Sequence, residues 1–146
     1  MSRKWENDHE IVYVSSGEGS TSEGEFHEAL NWASREKLPI IFHIQDNEYA
    51  ISVHVSEQTS GSSVFSMVNG YDNLSRYEVD GTNFFETDLA FREAIERARQ
   101  GKGPSVIVSN VVRLLSHSSS DDQKKYRKKE DLDLSLIHIS EPTRPC

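Results

Sequence analysis

Cysteine is nearly absent from this 146-residue chain; its single copy is the last residue, Cys146. A disulfide framework needs pairs and a cysteine-ligated zinc site needs several thiolates, so both are excluded, and a reducing, cytoplasmic location is expected. Long apolar runs are missing as well. Each is five residues or fewer, far short of the ~20 that span a bilayer, so no membrane partner is expected, and no signal-peptide pattern opens the chain. A basic excess is also lacking. Sixteen Lys and Arg face 24 Asp and Glu, a net charge of -8, which argues against nucleic acid because phosphate contacts call for a basic footprint. What remains is 35% hydrophobic residues gathered in clear clusters, enough for one folded domain.

Those clusters alternate in period. Ile11-Val12-Tyr13-Val14 is rich in β-branched residues and reads as a buried strand of the parallel type. Ser15 to Gly24 is a loop by composition. Glu25 to Lys37 reads as a helix, with Phe26, Ala29, Leu30 and Ala33 at spacings of three and four and Pro39 closing it. Ile40 to Ile44 is a second buried strand, which makes 11–44 a βαβ unit with a right-handed crossover. Ser52 to Ser63 is polar and loop-like, and Val64 to Val68 is a short helix stopped by Asn69-Gly70. Tyr77 to Val79 is a third strand. Phe84 to Gln100 is an amphipathic helix with Leu89, Ala90, Ala94, Ile95 and Ala98 on its apolar side. Gly101-Lys102-Gly103-Pro104 stops it, and Ser105 to Val112 is the fourth strand. Ser116 to Glu130 is polar and charged, a mobile loop. The alternation predicts an α/β fold with a mostly parallel sheet flanked by helices.

The ends depart from this pattern. Residues 134–146 follow a dense charged run and match no structural period. The string resembles the in-frame translation of a sequencing adapter, which puts the native end near Asp133. A short strand over Leu136–Ile139 is the alternative. Met1 stands ten residues before the first strand, so the chain reads as an internal piece of a longer protein, with 1–133 a partial domain.

In an open α/β sheet, ligands bind at the carboxyl ends of the strands. Two loops leave adjacent strand ends here, Gly17–Gly24 and Asp46–Tyr49, and their chemistry fits a diphosphate held through a divalent cation. Gly17 and Gly19 permit close backbone approach and positive φ. Amides in this turn, and at the start of the following helix, suit phosphate oxygens. Glu18 and Asn47 offer the hard oxygen ligands that magnesium takes. A dinucleotide fingerprint fails because Ser22 stands where its third glycine belongs, and a phosphate loop of the Gly-Lys-Ser/Thr type fails because no such triplet follows. Gly-Glu-Gly alone is more often just a turn.

Spacing and flanks add specificity. Gly17-Glu18-Gly19, then Ser22 to Asn31, then Leu38 to Phe42, then Asp46 to Ser52 stand in order, with Gly17 and Asn47 30 positions apart. Arg113 to Asp122 and Tyr126-Arg127 continue the match, so it covers 11–131. This pattern resembles the alpha part of the thiamine-diphosphate-dependent decarboxylating component of 2-oxo acid dehydrogenases. The glutamate form of the first triplet is most similar to branched-chain enzymes and to bacterial proteins with fused alpha and beta parts. The resemblance implies oxidative decarboxylation of a 2-oxo acid with acyl transfer to a lipoyl-bearing acyltransferase, thiamine diphosphate and magnesium as cofactors, and an oligomer when complete. It implies that Glu18 and Asn47 hold magnesium through side-chain oxygens and Tyr49 through its backbone carbonyl. Gly17, Gly19 and Ser20 lie against the diphosphate, His117 reaches the active site, and Arg113 and Asp121 belong to the loop around the cofactor. Ser118 matches a position phosphorylated in animal relatives. The activating glutamate and half of the substrate channel belong to the beta part, so the chain alone is expected to be inactive.

Two residues depart from the family pattern. Asp46 replaces the first asparagine of a pair, and Glu48 replaces a glycine; where that glycine needs positive φ, glutamate is strained. The expectation is that both extra carboxylates point to solvent. Other residues have plain readings: His43 is a core or strand-face histidine, His27 and Trp32 belong to a surface, core or interface, and His54 has no evident partner. His9 is uninformative. A transketolase-like enzyme is a rival that the Ser116–Asp122 loop argues against, and a non-catalytic α/β binding domain that has lost the site is a second rival.

Overall fold

The alternating apolar clusters become β1 (Val12–Gly17), α1 (Gly24–Glu36), β2 (Ile40–Asp46), a small hairpin of β3 (Tyr49–Ala50) and β4 (Val53–His54), the one-turn helices α2 (Val55–Gln58) and α3 (Val64–Met67), β5 (Ser75–Asp80), α4 (Phe84–Arg99) and β6 (Ser105–Asn110). The computed structural model describes residues 10–133. His9, Cys146, the adapter-like tail and the alternative strand at Leu136–Ile139 lie outside the described residues. The chain divides between Val111 and Val112 into two compact units.

In the first unit four strands form one sheet in the order β1-β2-β6-β5, and every pairing is parallel. This is the α/β architecture expected from the alternation. Side chains alternate across the strands, so each face takes its own helix. Phe42, Ile44, Val106 and Val108 pack with Leu30 and Ala33 of α1, and with Val64 of α3. Ile41, Val79 and Ile107 face the other way and pack with Ala90 and Ala94 of α4.

Local chemistry sets the helix ends. α1 stops at Lys37, which takes a left-handed φ of 49° and returns its N–H to the carbonyls of Ala33 and Ser34. Asn83 caps α4, its side-chain oxygen accepting from the N–H groups of Phe85 and Glu86. After α4 the chain turns at Gly103, where φ is +105° and a Cβ would stand 2.5 Å from the Asn73 carbonyl oxygen, so only glycine fits.

Three expectations need correction. β1 is not buried: Val12, Tyr13 and Val14 are 39, 53 and 40% exposed. It is the outer strand, paired on one side only among the described residues. The 52–63 stretch is not a featureless loop but contains β4, α2 and a 3-10 turn at Ser60–Ser62. His54 and the residue before α3, Ser63, start α2 and α3 by accepting backbone N–H groups, a signal too short for any period to show. Leu89 is 59% exposed, because α4 turns its Ala90-Ala94-Ala98 line inward.

The second unit carries more internal structure than its polar composition predicts. A 3-10 turn spans Gln123–Lys125, and Arg127 is 8% exposed. Its guanidinium donates to the Arg113 carbonyl at 2.7 Å and to Gln123 Oε1 at 2.8 Å.

Candidate functional site

β1 and β2 run side by side with Gly17 opposite Gln45, so their carboxyl ends bring the two expected loops together. Glu18 opens a 3-10 turn, Glu18–Ser22, and is 1% exposed. Its Oε2 accepts from the Asn47 backbone N–H at 3.4 Å and from Asn47 Nδ2 at 3.2 Å. This contact fixes the asparagine's orientation. Its amide nitrogen holds the carboxylate, and Asn47 Oδ1 is buried with no hydrogen-bond partner among the described residues. A buried oxygen in that state carries a desolvation penalty of about 1–3 kcal/mol, which a cation ligand relieves. Tyr49, two residues on, is 9% exposed.

The glycines work differently from expectation. Gly17 has φ -85° and ψ 164°, and the positive-φ glycines among the described residues are Gly61, Gly101 and Gly103. Gly19 is needed instead for close approach, since a Cβ there would lie 2.9 Å from the Ala50 Cβ of the hairpin. A Cβ at Gly17 would meet no atom within 4 Å, leaving open room beside the turn. Ser20 and Ser16 hydrogen-bond through their hydroxyls, and the Ser20 hydroxyl also donates to the Gly17 carbonyl at 2.7 Å. Glu23, at the N-cap of α1, makes no side-chain capping bond, so the first amides of that helix are not taken by a cap.

Glu48 has φ 67°, the left-handed conformation in which a side chain is strained. For a side-chain-bearing residue this costs about 1–2 kcal/mol. Its carboxylate is exposed, 3.9 Å from His54. His54 thus has partners that the sequence hid, since its Nδ1 also meets the Ser56 hydroxyl at 2.8 Å. Asp46 does not point to solvent. It is 8% exposed, and its Oδ1 accepts the Glu48 N–H at 2.8 Å, which holds the strained turn. Burial pushes the Asp46 carboxyl above its ordinary pKa; the Glu48 N–H pulls down, the Glu78 charge pushes up and His54 pulls down.

His43 is the strand-core histidine expected. It lies on the face opposite α1, its Nδ1 hydrogen-bonded to the Tyr13 hydroxyl at 2.9 Å and its Nε2 to the Ser109 hydroxyl at 2.9 Å, and burial lowers its pKa. His27 is half-buried on α1 with the Tyr71 hydroxyl at 3.3 Å. Trp32 is 40% exposed, with the Arg35 guanidinium over its ring.

The second unit gathers the remaining expected residues around one hydroxyl. Arg113 donates to the Tyr126 hydroxyl at 2.6 Å, and that hydroxyl donates to Asp121 Oδ2 at 2.6 Å. The same Asp121 oxygen accepts the His117 backbone N–H at 2.8 Å. The Tyr126 bond, with the His117 N–H and the Arg113 charge, holds the Asp121 carboxyl below its ordinary pKa against the opposing effect of desolvation. Burial and the Asp121 bond raise the Tyr126 hydroxyl. Tyr126 is the residue that sequence reasoning undervalued; its hub position comes from contacts across the loop. Ser118 is exposed.

Among the described residues no cluster of three or more His, Cys, Asp or Glu side chains stands ready for a metal. The cation chemistry available is of the hard-oxygen kind, one carboxylate, one amide oxygen and backbone carbonyls, and the buried Asn47 oxygen fits it.

A parallel sheet with helices on both faces places the chain among the doubly wound α/β proteins. Residues 1–135 match the family described as dehydrogenase E1 component, and the chain belongs to that family. It matches the alpha component. The 2-oxoisovalerate dehydrogenase subunit alpha of Bacillus subtilis is 40% identical over 122 residues, covering 84% of this chain and 37% of the relative. The 3-methyl-2-oxobutanoate dehydrogenase subunit alpha of Mycobacterium tuberculosis is 40% identical over 117 residues, covering 80 and 32%. The pyruvate dehydrogenase E1 component subunit alpha of Acholeplasma laidlawii is 35% identical over 132 residues, covering 90 and 38%. The chain thus spans about a third of the length of these curated relatives.

Proposed function

We propose that this chain supplies the metal-and-diphosphate half of a thiamine diphosphate site in the alpha part of a 2-oxo acid dehydrogenase. A branched-chain 2-oxo acid is the favoured substrate, as the names of the Bacillus and Mycobacterium relatives support, and pyruvate is the second. The observation that carries the reading is the Glu18–Asn47 clasp with its inward amide oxygen. Glu18 and Asn47 Oδ1 hold magnesium, joined by the Tyr49 carbonyl. Gly17, Gly19, Ser20 and the opening amides of α1 receive the diphosphate. When bound, thiamine diphosphate supplies the electron sink for carbon dioxide loss. His117 is the catalytic residue of this reading, and Asp121, braced by Tyr126 and Arg113, holds its backbone N–H.

The complete enzyme includes a beta part, fused or separate, and passes its acyl group to a lipoyl-bearing acyltransferase in the cytoplasm. No described helix is long and apolar enough to cross a membrane. A second reading, a non-catalytic α/β binding domain, draws on Asp46, whose buried carboxyl is out of place beside a diphosphate.

The test uses the 146-residue chain and a chimera in which it replaces the matched region of the Bacillus subtilis alpha subunit, assayed with the Bacillus beta part, magnesium, thiamine diphosphate and a panel of 2-oxo acids. The chain alone should show no turnover. The chimera should decarboxylate 3-methyl-2-oxobutanoate faster than pyruvate, and Glu18→Gln should abolish this. Full turnover by the chain alone contradicts the division of the site, and an inactive but folded chimera supports the second reading.

A further inference from the structure

The turn from Asp46 to Tyr49 carries a strained residue at its centre. Asp46 ends β2, stands opposite Asn110 of β6, and accepts the Val111 N–H on its carbonyl at 2.8 Å. Its side chain is buried, and Oδ1 accepts the Glu48 N–H at 2.8 Å, the local bond that aspartate makes to the backbone two residues on. The Glu48 carbonyl in turn accepts the Val55 N–H at 2.8 Å, at the start of α2. Asn47, between them, is held by Glu18, and Tyr49 is paired with His54 across the hairpin. Inside this frame Glu48 keeps its φ of 67°, a backbone that side chains avoid. Its own side chain is exposed, so packing of that side chain does not hold the conformation; the backbone hydrogen bonds do. A residue in this state persists only where its surroundings over-determine it, and such residues gather at functional sites.

We propose that Asp46 is the positioning residue of the cation clasp: it holds Glu48 in the left-handed backbone, and so sets the Asn47 side-chain oxygen and the Tyr49 carbonyl relative to each other. The inference rests on the cation reading of Glu18 and Asn47. The two oxygen donors that this turn contributes to that reading flank Glu48. A change of φ at Glu48 rotates the chain before it against the chain after it, which swings Asn47 against Tyr49. The Asp46 bond opposes that change, because Glu48 relieves its strain by moving to negative φ once its N–H loses the acceptor. Asp46 acts through the Glu48 N–H and not on the cation, since its Oδ1 already serves the backbone. The role needs an acceptor oxygen at this position rather than a charge. An asparagine supplies the same oxygen, and a glycine at position 48 removes the strain that calls for it.

The test joins two readouts: manganese binding by electron paramagnetic resonance in the Bacillus chimera with thiamine diphosphate, and urea unfolding of the 146-residue chain without metal. Asp46→Ala should weaken manganese by about tenfold or more, as loss of a ligand's supporting partner does. Asp46→Asn should bind as the parent does. Adding Glu48→Gly to Asp46→Ala should recover most of the loss, since glycine holds positive φ without a brace. The urea midpoints should show the same coupling, with Asp46→Ala costing less in the Glu48→Gly background than in the parent. Equal costs in the two backgrounds overturn the inference. Should Asp46→Ala not fold, the double variant decides: manganese held near the parent level supports the inference, and a folded double variant without manganese overturns it. Manganese bound equally by Asp46→Ala and the parent overturns it while the clasp stands. A loss in Asp46→Asn as complete as in Glu18→Gln overturns it too, and makes Asp46 a ligand. A parent chimera that binds no manganese removes the cation reading and the inference with it, so the parent separates the two failures.

Discussion

β5 and β1 are both outer strands of one sheet, but only β5 is dressed as an edge. Its outward backbone belongs to Arg76, Glu78 and Asp80, because Ser75 donates inward to the Pro104 carbonyl and the sides alternate. All three are charged. The Asp80 N–H is also taken by Glu86 Oε1 at 3.2 Å, so a side chain from α4 closes one of the exposed donors. β1 has neither device; its large exposed side chains are Val12, Tyr13 and Val14. Charge on a bare edge deters pairing. The two borders therefore differ in kind: one carries charge along its open side, the other does not.

The largest effect that sharpens the comparison contrasts the sheet centre with its bare border. Ile44 on β2 is 1% exposed, and Ile44→Ala should destabilise by about 2–4 kcal/mol. Val12→Ala at the border should cost less than about 1 kcal/mol in this chain. Paired urea titrations check both. Equal losses break the claim that β1 is unburied here.

A smaller effect concerns the guards. Arg76→Val combined with Glu78→Val removes charge from β5 without touching its inward Val79. Self-association in sedimentation should rise above that of the parent chain, with some fall in melting temperature because Arg76 also donates to the Phe65 carbonyl at 2.8 Å. No rise means that charge is not what keeps this edge unpaired.

The smallest effect is a pH dependence at the bare border, where Tyr13 of β1 is tied through His43 of β2 to Ser109 of β6. Burial holds the pKa of His43 below 6.5, so the folded chain favours the neutral ring. The unfolded chain then binds more protons, and stability rises with pH across that interval. The contribution is complete above pH 6.5 and is lost as pH falls through the folded pKa. His43→Gln should flatten this part of the stability–pH curve. An unchanged curve would remove His43 as its source.

Period accounts for what the sequence made legible. The continuous apolar run of Ile40–Ile44, the alternation in Ser105–Val112 and the three-four spacing in the two long helices report buried faces directly. The same logic misled at β1, because an apolar run marks a strand but not how far its neighbours cover it. β3 and β4 are two residues each, and α2 and α3 are four, so no period exists to read. At the site, Glu18 and Asn47 were legible from residue type and spacing. The inward turn of Asp46 was not, because it depends on the left-handed backbone of Glu48. Nor was the hub at Tyr126, which is assembled from Arg113, His117 and Asp121.

The central claim is that Glu18 and Asn47 form a cation clasp. Its most direct test is manganese binding, followed by electron paramagnetic resonance, in the chimera with thiamine diphosphate present. One bound manganese ion per chain is predicted. Glu18→Gln should release it, Asn47→Ala should weaken it by at least about tenfold, and Asp46→Asn should leave it in place. Manganese held equally well by the parent and by the Glu18→Gln and Asn47→Ala variants would contradict the account.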